Sequence, residues 1–268
     1  MNPTYVLHRR FDRMGRLIGD EKMGKLFRTH AMVIGLGGVG SWAAESLARS
    51  GVGRITLVDF DDICITNANR QLHALQGLVG KKKSEVMGER LLKINPQAQV
   101  ESLPLFYNAE TSAQILGMNP DYIVDAIDNL TAKTHLLHAV RERGIKTITS
   151  GGASGRMDPT QIRLCDLAET HNDPMATQVR KILRQKYNFP EQKFFGIPCV
   201  FSAETPKAPE ELKYDGGQGF KCVCPQGQNN LHSCEHRNVI YGTASFVTGS
   251  FGLTMASWVV RDVVGESN

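Results

Sequence analysis

The run Gly35-Leu36-Gly37-Gly38-Val39-Gly40 narrows the possible folds more than any other feature of this chain. Residues 31–34 before it are a short apolar strand. Residues 41–50 after it place Trp42, Ala43, Leu47 and Ala48 at helical spacing. Gly51 and Gly53 stop that helix, and residues 54–59, RITLVD, read as a second strand. Strand, glycine turn, helix, strand is a βαβ unit. The glycines permit a tight turn and bring backbone N–H groups toward phosphate at a helix N-terminus. Asp59, about 20 residues on, stands where a carboxylate accepts hydrogen bonds from a ribose. These residues specify a nucleotide site without choosing between NAD and ATP.

The rest of the pattern extends the unit into a sheet. Val86, Met87, Arg90, Leu91 and Ile94 share a helix that Asn95-Pro96 ends. Residues 122–127 and 146–150 read as buried strands, with a helix between them at about 131–143. The expected fold is α/β: a Rossmann-like, mostly parallel sheet covered by helices on both faces, with a loop-rich C-terminal region and a closing helix. Within one adenylation-type domain over 1–268, residues 1–29 are a polar helical lead-in and 30–170 the nucleotide-binding core. Residues 171–238 form a substrate-side helix, starting at Pro174 and running to about Tyr187, followed by long loops. Residues 239–268 carry the closing helix.

Composition excludes several classes. At 41% hydrophobic and 22% charged residues, the chain has an ordinary globular balance. Its net charge of +4 is compatible with a nucleic-acid substrate without demanding one. Six cysteines are too few and too scattered for a secreted disulfide scaffold, and the N-terminus lacks the apolar core of a signal peptide, so a cytoplasmic location is expected. The uncharged stretch 238–260 is rich in Gly, Ser and Thr. It suits a buried or subunit-interface helix better than a membrane span, and no stable membrane insertion is expected.

Past Asp59 the chain runs DFDDICITNANRQLHALQGLVGKKKSEV. Redox chemistry on a dinucleotide has no use for this run of cations and amides. Attack on an α-phosphate does, because the triphosphate charge must be neutralised and the pyrophosphate held in line. Arg70 and Lys83 supply cations, Asn67 and Asn69 amides, and Asp128, in the DAIDN segment, a carboxylate suited to Mg²⁺.

Together, GLGGVG, VDFDDI, TNANRQ, Lys83 and DAIDN resemble the ThiF/MoeB group of ubiquitin-activating-like adenylyltransferases. That resemblance implies a site of Gly35, Gly37, Gly38 and Gly40 with Asp59 on the ribose. It implies Asn67, Asn69 and Arg70 at the triphosphate, Lys83 as the catalytic phosphate contact, and Asp128, beside Asn129, as the Mg²⁺ ligand. It also implies a homodimer in which Arg16 (Arg13 is the second choice) reaches the partner's ATP. Members of that group carry paired CxxC motifs, and this chain has none. Residues 150–174, SGGASGRMDPTQIRLCDLAETHNDP, and 198–204, PCVFSAE, instead resemble the bacterial tRNA threonylcarbamoyladenosine dehydratases. The substrate implied is tRNA bearing threonylcarbamoyladenosine, whose carboxylate would be adenylylated and then attacked internally to close a ring. The alternatives are adenylylation of a ubiquitin-like sulfur carrier, a sulfur relay with a cysteine desulfurase, and an NAD-dependent oxidoreductase.

Four further expectations concern local chemistry. Backbone N–H groups of residues 151–153 could stabilise an oxyanion. Arg180, Lys181, Arg184, Lys186 and Lys193, near Tyr187, Phe189, Phe194 and Phe195, could track RNA phosphates and stack bases, or could be a solvated helix face with core aromatics. Cys222, Cys224, Cys234 and His236, with His232 close by, could bind Zn²⁺, with Cys234 the sulfur acceptor if the cluster carries sulfur instead. Cys199 is the choice for a thioester-forming cysteine, if one exists.

Overall fold

A computed structural model describes residues 9–191, 194–212 and 241–266. The lead-in forms two short helices, α1 (Asp12–Ile18) and α2 (Asp20–Arg28). The βαβ unit follows as β1 (His30–Ile34), α3 (Gly40–Arg49) and β2 (Arg54–Val58). Next come α4 (Lys83–Ile94), β3 (Gln99–Leu103), α5 (Ser112–Leu116), β4 (Tyr122–Asp125), α6 (Leu130–Arg143) and β5 (Lys146–Ser150). The last described elements are β6 (Ile162–Asp166), α7 (Pro174–Tyr187), β7 (Pro198–Ser202) and α8 (Ser245–Val263).

The seven strands order as β3-β2-β1-β4-β5-β7-β6, with only the β6–β7 pair antiparallel. Alternation along β1 sends Ala31 and Val33 to one face and Met32 and Ile34 to the other. The first face packs under α3, α4 and α8 and the second under α5 and α6. A third cluster joins Leu137 of α6 to α7, Cys199 and Phe201. The chain leaves β1 toward β2 on one side and reaches β4 on the other, so the crevice beyond the end of β1 is a topological switch point, where doubly wound sheets bind ligands.

The uncharged C-terminal stretch becomes α8, laid across α3 with Val247, Phe251, Met255 and Val259 fully buried. Its small residues permit this approach: a Cβ at Gly252 would lie 2.3 Å from the carbonyl oxygen of Val39. Among the described residues no helix is long and apolar enough to cross a membrane.

Two expectations fail in the second half. Residues 190–238 are not wholly loop, because β7 is a central strand, buried from Cys199 to Ser202. It also carries the sheet past the boundary expected at residue 170. A five-residue strand buried on both faces shows no alternation, and flanking prolines and glycines disguised it. β3 and α5 also lack a sequence signal: QVESL is mostly polar, and SAQIL is barely longer than one turn.

Candidate active site

The glycine turn sits where β1 ends. Gly35 has φ +89°, and a Cβ at Gly40 would lie 1.8 Å from the Gly35 carbonyl oxygen, so the turn closes only with glycine there. Gly37 is open by comparison. Gly38 faces the stem of Arg70, whose Cγ is 3.2 Å from the position a Cβ would take, and Thr248 of α8 at 3.1 Å.

Asp59 follows β2 and is 8% exposed. One carboxylate oxygen accepts from the backbone N–H of Leu36 at 2.6 Å and the other from that of Asp61 at 2.8 Å. Each oxygen keeps a second lone pair. Burial raises the pKa of this carboxyl, Lys83 opposes the rise and Asp61 adds to it.

Lys83 opens α4 with its side chain buried, and its ammonium donates to Asp61 Oδ2 at 2.7 Å. Burial works against the charge, but Asp59, Asp61 and Asp128 outweigh it and hold the Lys83 pKa above its ordinary value. Three carboxylates from two chain segments thus surround one ammonium. The sequence pointed to Lys83 and missed Asp61, which read as one acid among several in VDFDDI.

Arg70 is half-buried. Its Nη1 donates to the Thr66 carbonyl at 3.0 Å and to Asn69 Oδ1 at 2.9 Å, and its own carbonyl accepts from the Trp42 indole at 3.1 Å. Asn69 donates through Nδ2 to the Thr243 carbonyl at 2.9 Å, tying this loop to the approach to α8. Asn67 is buried and its Oδ1 accepts from the Cys64 N–H at 3.0 Å, so that oxygen organises the turn. Asp128 is exposed and makes no hydrogen bond to the described residues, whereas Asn129 caps α6 by accepting from the Ala132 N–H at 3.0 Å.

Behind the DAIDN segment lies a group that sequence reasoning did not find. Lys133, 1% exposed, donates to Asp125 Oδ2 at 2.6 Å and to Thr149 Oγ1 at 3.0 Å, and Asp125 Oδ1 accepts from the Ile127 N–H at 3.1 Å. This buried network fixes the turn that presents Asp128. Its only sequence signal is a lysine one helical turn into α6, on the face that also carries Leu136 and Leu137.

Several expected site residues are placed elsewhere. The N–H of Gly151 donates to Val200 O at 2.8 Å and that of Gly152 to Asp173 Oδ2 at 2.9 Å, so neither is available to an oxyanion. Cys199 is wholly buried and its thiol pKa is pushed up by that burial, which rules out a ready thiolate nucleophile. Phe189 and Phe195 are core side chains under Arg141 and Arg184, so they are not base-stacking surfaces; Phe194 remains 68% exposed. Arg180 turns inward to Thr170, leaving Lys181 and Lys186 as the solvent-facing cations of α7. Arg16 is exposed on α1, paired with Asp12 at 2.9 Å. Lys193, Cys222, Cys224, His232, Cys234 and His236 lie outside the described residues. Among the described residues no group of His, Cys, Asp or Glu is arranged to hold a metal ion, so nothing there supports Zn²⁺.

The ThiF family model matches residues 11–268. A tRNA threonylcarbamoyladenosine dehydratase of Haemophilus influenzae is 40% identical, over 97% of this chain and 95% of that relative. The crystal structure of the E. coli tRNA N6-threonylcarbamoyladenosine dehydratase in complex with AMP superposes with a TM-score of 0.84 at 36% identity, over 98% of this chain and 99% of that one. The E. coli enzyme in complex with ATP gives 0.83 at 36% identity, over 98% of both chains. The chain belongs to the ThiF family and, within it, to the tRNA threonylcarbamoyladenosine dehydratases.

Proposed function

We propose that this chain uses ATP to dehydrate threonylcarbamoyladenosine in tRNA, with Arg70 and Lys83 on the triphosphate and Asp59 on the ribose. The observation that carries the assignment of roles is the buried Lys83 ammonium, held among Asp59, Asp61 and Asp128 beside the glycine turn. A cation fixed this way is preorganised for charge that develops in the transition state.

The threonyl carboxylate attacks the α-phosphorus and the bond to the bridging oxygen breaks, so pyrophosphate leaves with the electron pair. The acyl adenylate is then attacked by a carbamoyl nitrogen or oxygen of the same substituent. The acyl–oxygen bond to AMP breaks, AMP departs, and the nucleophile loses its proton. The nucleoside has then lost the elements of one water. Lys83 and Arg70 hold the phosphates in line, and the glycine turn admits them close to backbone N–H groups. The residues present fit Mg²⁺, an ion commonly held by one or two carboxylates together with substrate phosphates: Asp128 offers an exposed oxygen ligand near Lys83. When bound, the ion would neutralise phosphate charge.

The exposed Lys181 and Lys186 on α7 would meet tRNA phosphates. Two copies pair so that Arg16, on the outside of α1, serves the partner's nucleotide. Incubation of the full chain with ATP, Mg²⁺ and unfractionated tRNA, followed by nucleoside mass spectrometry, tests the function. Loss of one water from threonylcarbamoyladenosine, dependent on ATP, is expected. Unchanged nucleoside, with AMP release stimulated by a sulfur-carrier protein instead, would overturn it.

A further inference from the structure

Two buried polar residues of the NRQLHAL segment remain without a role, and one of them, Gln71, reaches the glycine turn. Gln71 is 7% and His73 1% exposed. Polar side chains at such depth carry a desolvation cost and are retained where they are satisfied or used. Gln71 Oε1 lies 3.0 Å from His73 Nε2. Its Nε2 has no hydrogen-bond partner among the described residues, and it is 3.9 Å from the position a Cβ would take at Gly37. Burial and the nearby cations Lys83 and Arg90 pull the His73 pKa down to about 3, so the ring is neutral and has a single N–H to place.

The placement of that proton decides which way the amide faces. His73 Nδ1 is buried with no partner. A buried N–H without a partner is rarer and costlier than a buried lone pair, and a lone pair also suits the cations nearby. The proton therefore sits on Nε2 and donates to Gln71 Oε1, which turns both N–H bonds of the amide toward the glycine turn. The reverse amide would aim an acceptor oxygen at the turn and leave an orphan N–H on Nδ1.

We propose that Gln71 is a further phosphate ligand, its amide donating to the triphosphate where it passes Gly37, and that His73 is the positioning residue that holds the amide in that sense. This rests on the ATP reading above.

Calorimetric titration of the full chain with ATP and, separately, adenosine tests it. Gln71→Leu should weaken ATP about tenfold, as loss of one hydrogen bond to a charged group does, and leave adenosine within about twofold. Gln71→Glu keeps the shape but presents only acceptors, and should weaken ATP further. His73→Leu should share most of the loss, and His73→Gln, whose terminal N–H can occupy the place of the imidazole donor, should recover it. Unchanged ATP affinity in Gln71→Leu overturns the proposal, as does an equal loss for adenosine. A His73→Gln protein as weak as His73→Leu overturns the positioning role. Should Gln71→Leu fail to fold, unchanged ATP affinity in Gln71→Glu is decisive. Wild-type protein that binds no ATP would bring down the functional reading itself, a result distinct from any of these.

Discussion

Replacing Lys83 with methionine separates the two things this lysine does. Its ammonium bonds Asp61 at 2.7 Å and sits against the buried Asp59 carboxylate, with 7% of its own side chain exposed. Breaking a fully buried pair by removing one partner costs about 3–5 kcal/mol, because the other charge is left in low dielectric. Here Asp61 keeps 39% side-chain exposure and can rehydrate, so the deficit falls mainly on Asp59. A loss of about 2–3 kcal/mol near pH 8 is expected, or roughly 5–10 °C in Tm for a domain of this size.

The pH dependence carries a definite sign. Lys83 has a raised pKa in the fold, so its contribution is fully present below the ordinary lysine value and constant between pH 5 and 8. Asp59 is a carboxyl whose folded pKa is raised by burial, so the folded state binds the proton more readily and stability falls as pH rises through its titration. Without Lys83 to oppose that rise, the methionine variant suffers more from it. The Tm gap between wild type and variant should therefore be widest near pH 8 and narrow toward pH 5. Thermal denaturation across that range measures it, and ATP-dependent turnover measures the loss of phosphate contact, about 10²–10³ in rate. A gap that is absent, or that widens on acidification, would refute the account of Lys83 as the counter-charge to Asp59.

Arg70→Ala removes a half-buried side chain whose Nη1 donates to a carbonyl and to an amide oxygen; it should change stability by less than about 1 kcal/mol while turnover falls about 10²-fold, measured by melting and by AMP release. Gly40→Ala should be destabilised by about 3 kcal/mol or more in denaturant titration, because its methyl would lie 1.8 Å from a carbonyl oxygen. Gly37→Ala, in open space, should keep wild-type stability but bind ATP more weakly by calorimetry. Cys199→Ala should retain turnover at a stability cost of about 1 kcal/mol, and a loss of activity without loss of fold would reinstate that thiol as a nucleophile.

What the sequence disclosed follows from the range over which its signals act. The β1–turn–α3–β2 unit is local: alternation, glycine spacing and helical periodicity all fall within about 30 residues. The start of α7 was legible for the same reason, since Asp173 caps it and Pro174 occupies its first turn. β7 was not, because its place between β5 and β6 depends on pairing with strands far away in the chain. Side-chain direction was equally hidden. Arg180 and Arg184 sit in a basic helix that reads as a nucleic-acid surface, yet one turns to Thr170 and the other lies over the Phe195 ring.

The same distinction orders the site. Lys83 and Arg70 were found because triphosphate chemistry needs cations, and cations are conspicuous in sequence. Asp61, Lys133 and His73 were missed because each acts on a neighbour, and that neighbour is set by the fold. Lys133 lies eight residues from Asp125 in sequence, but their 2.6 Å contact requires α6 to pack back on the end of β4. Asp61 is two residues from Asp59 and still had no visible partner until α4 brought Lys83 across. The groups that would meet the nucleotide are therefore carried on local motifs, whereas those that fix their charge and direction are assembled by long-range packing. A substitution at a supporting group, or at Lys83, which is both ligand and counter-charge, should consequently disturb stability and affinity together, while one at a half-buried ligand such as Arg70 should disturb chemistry alone.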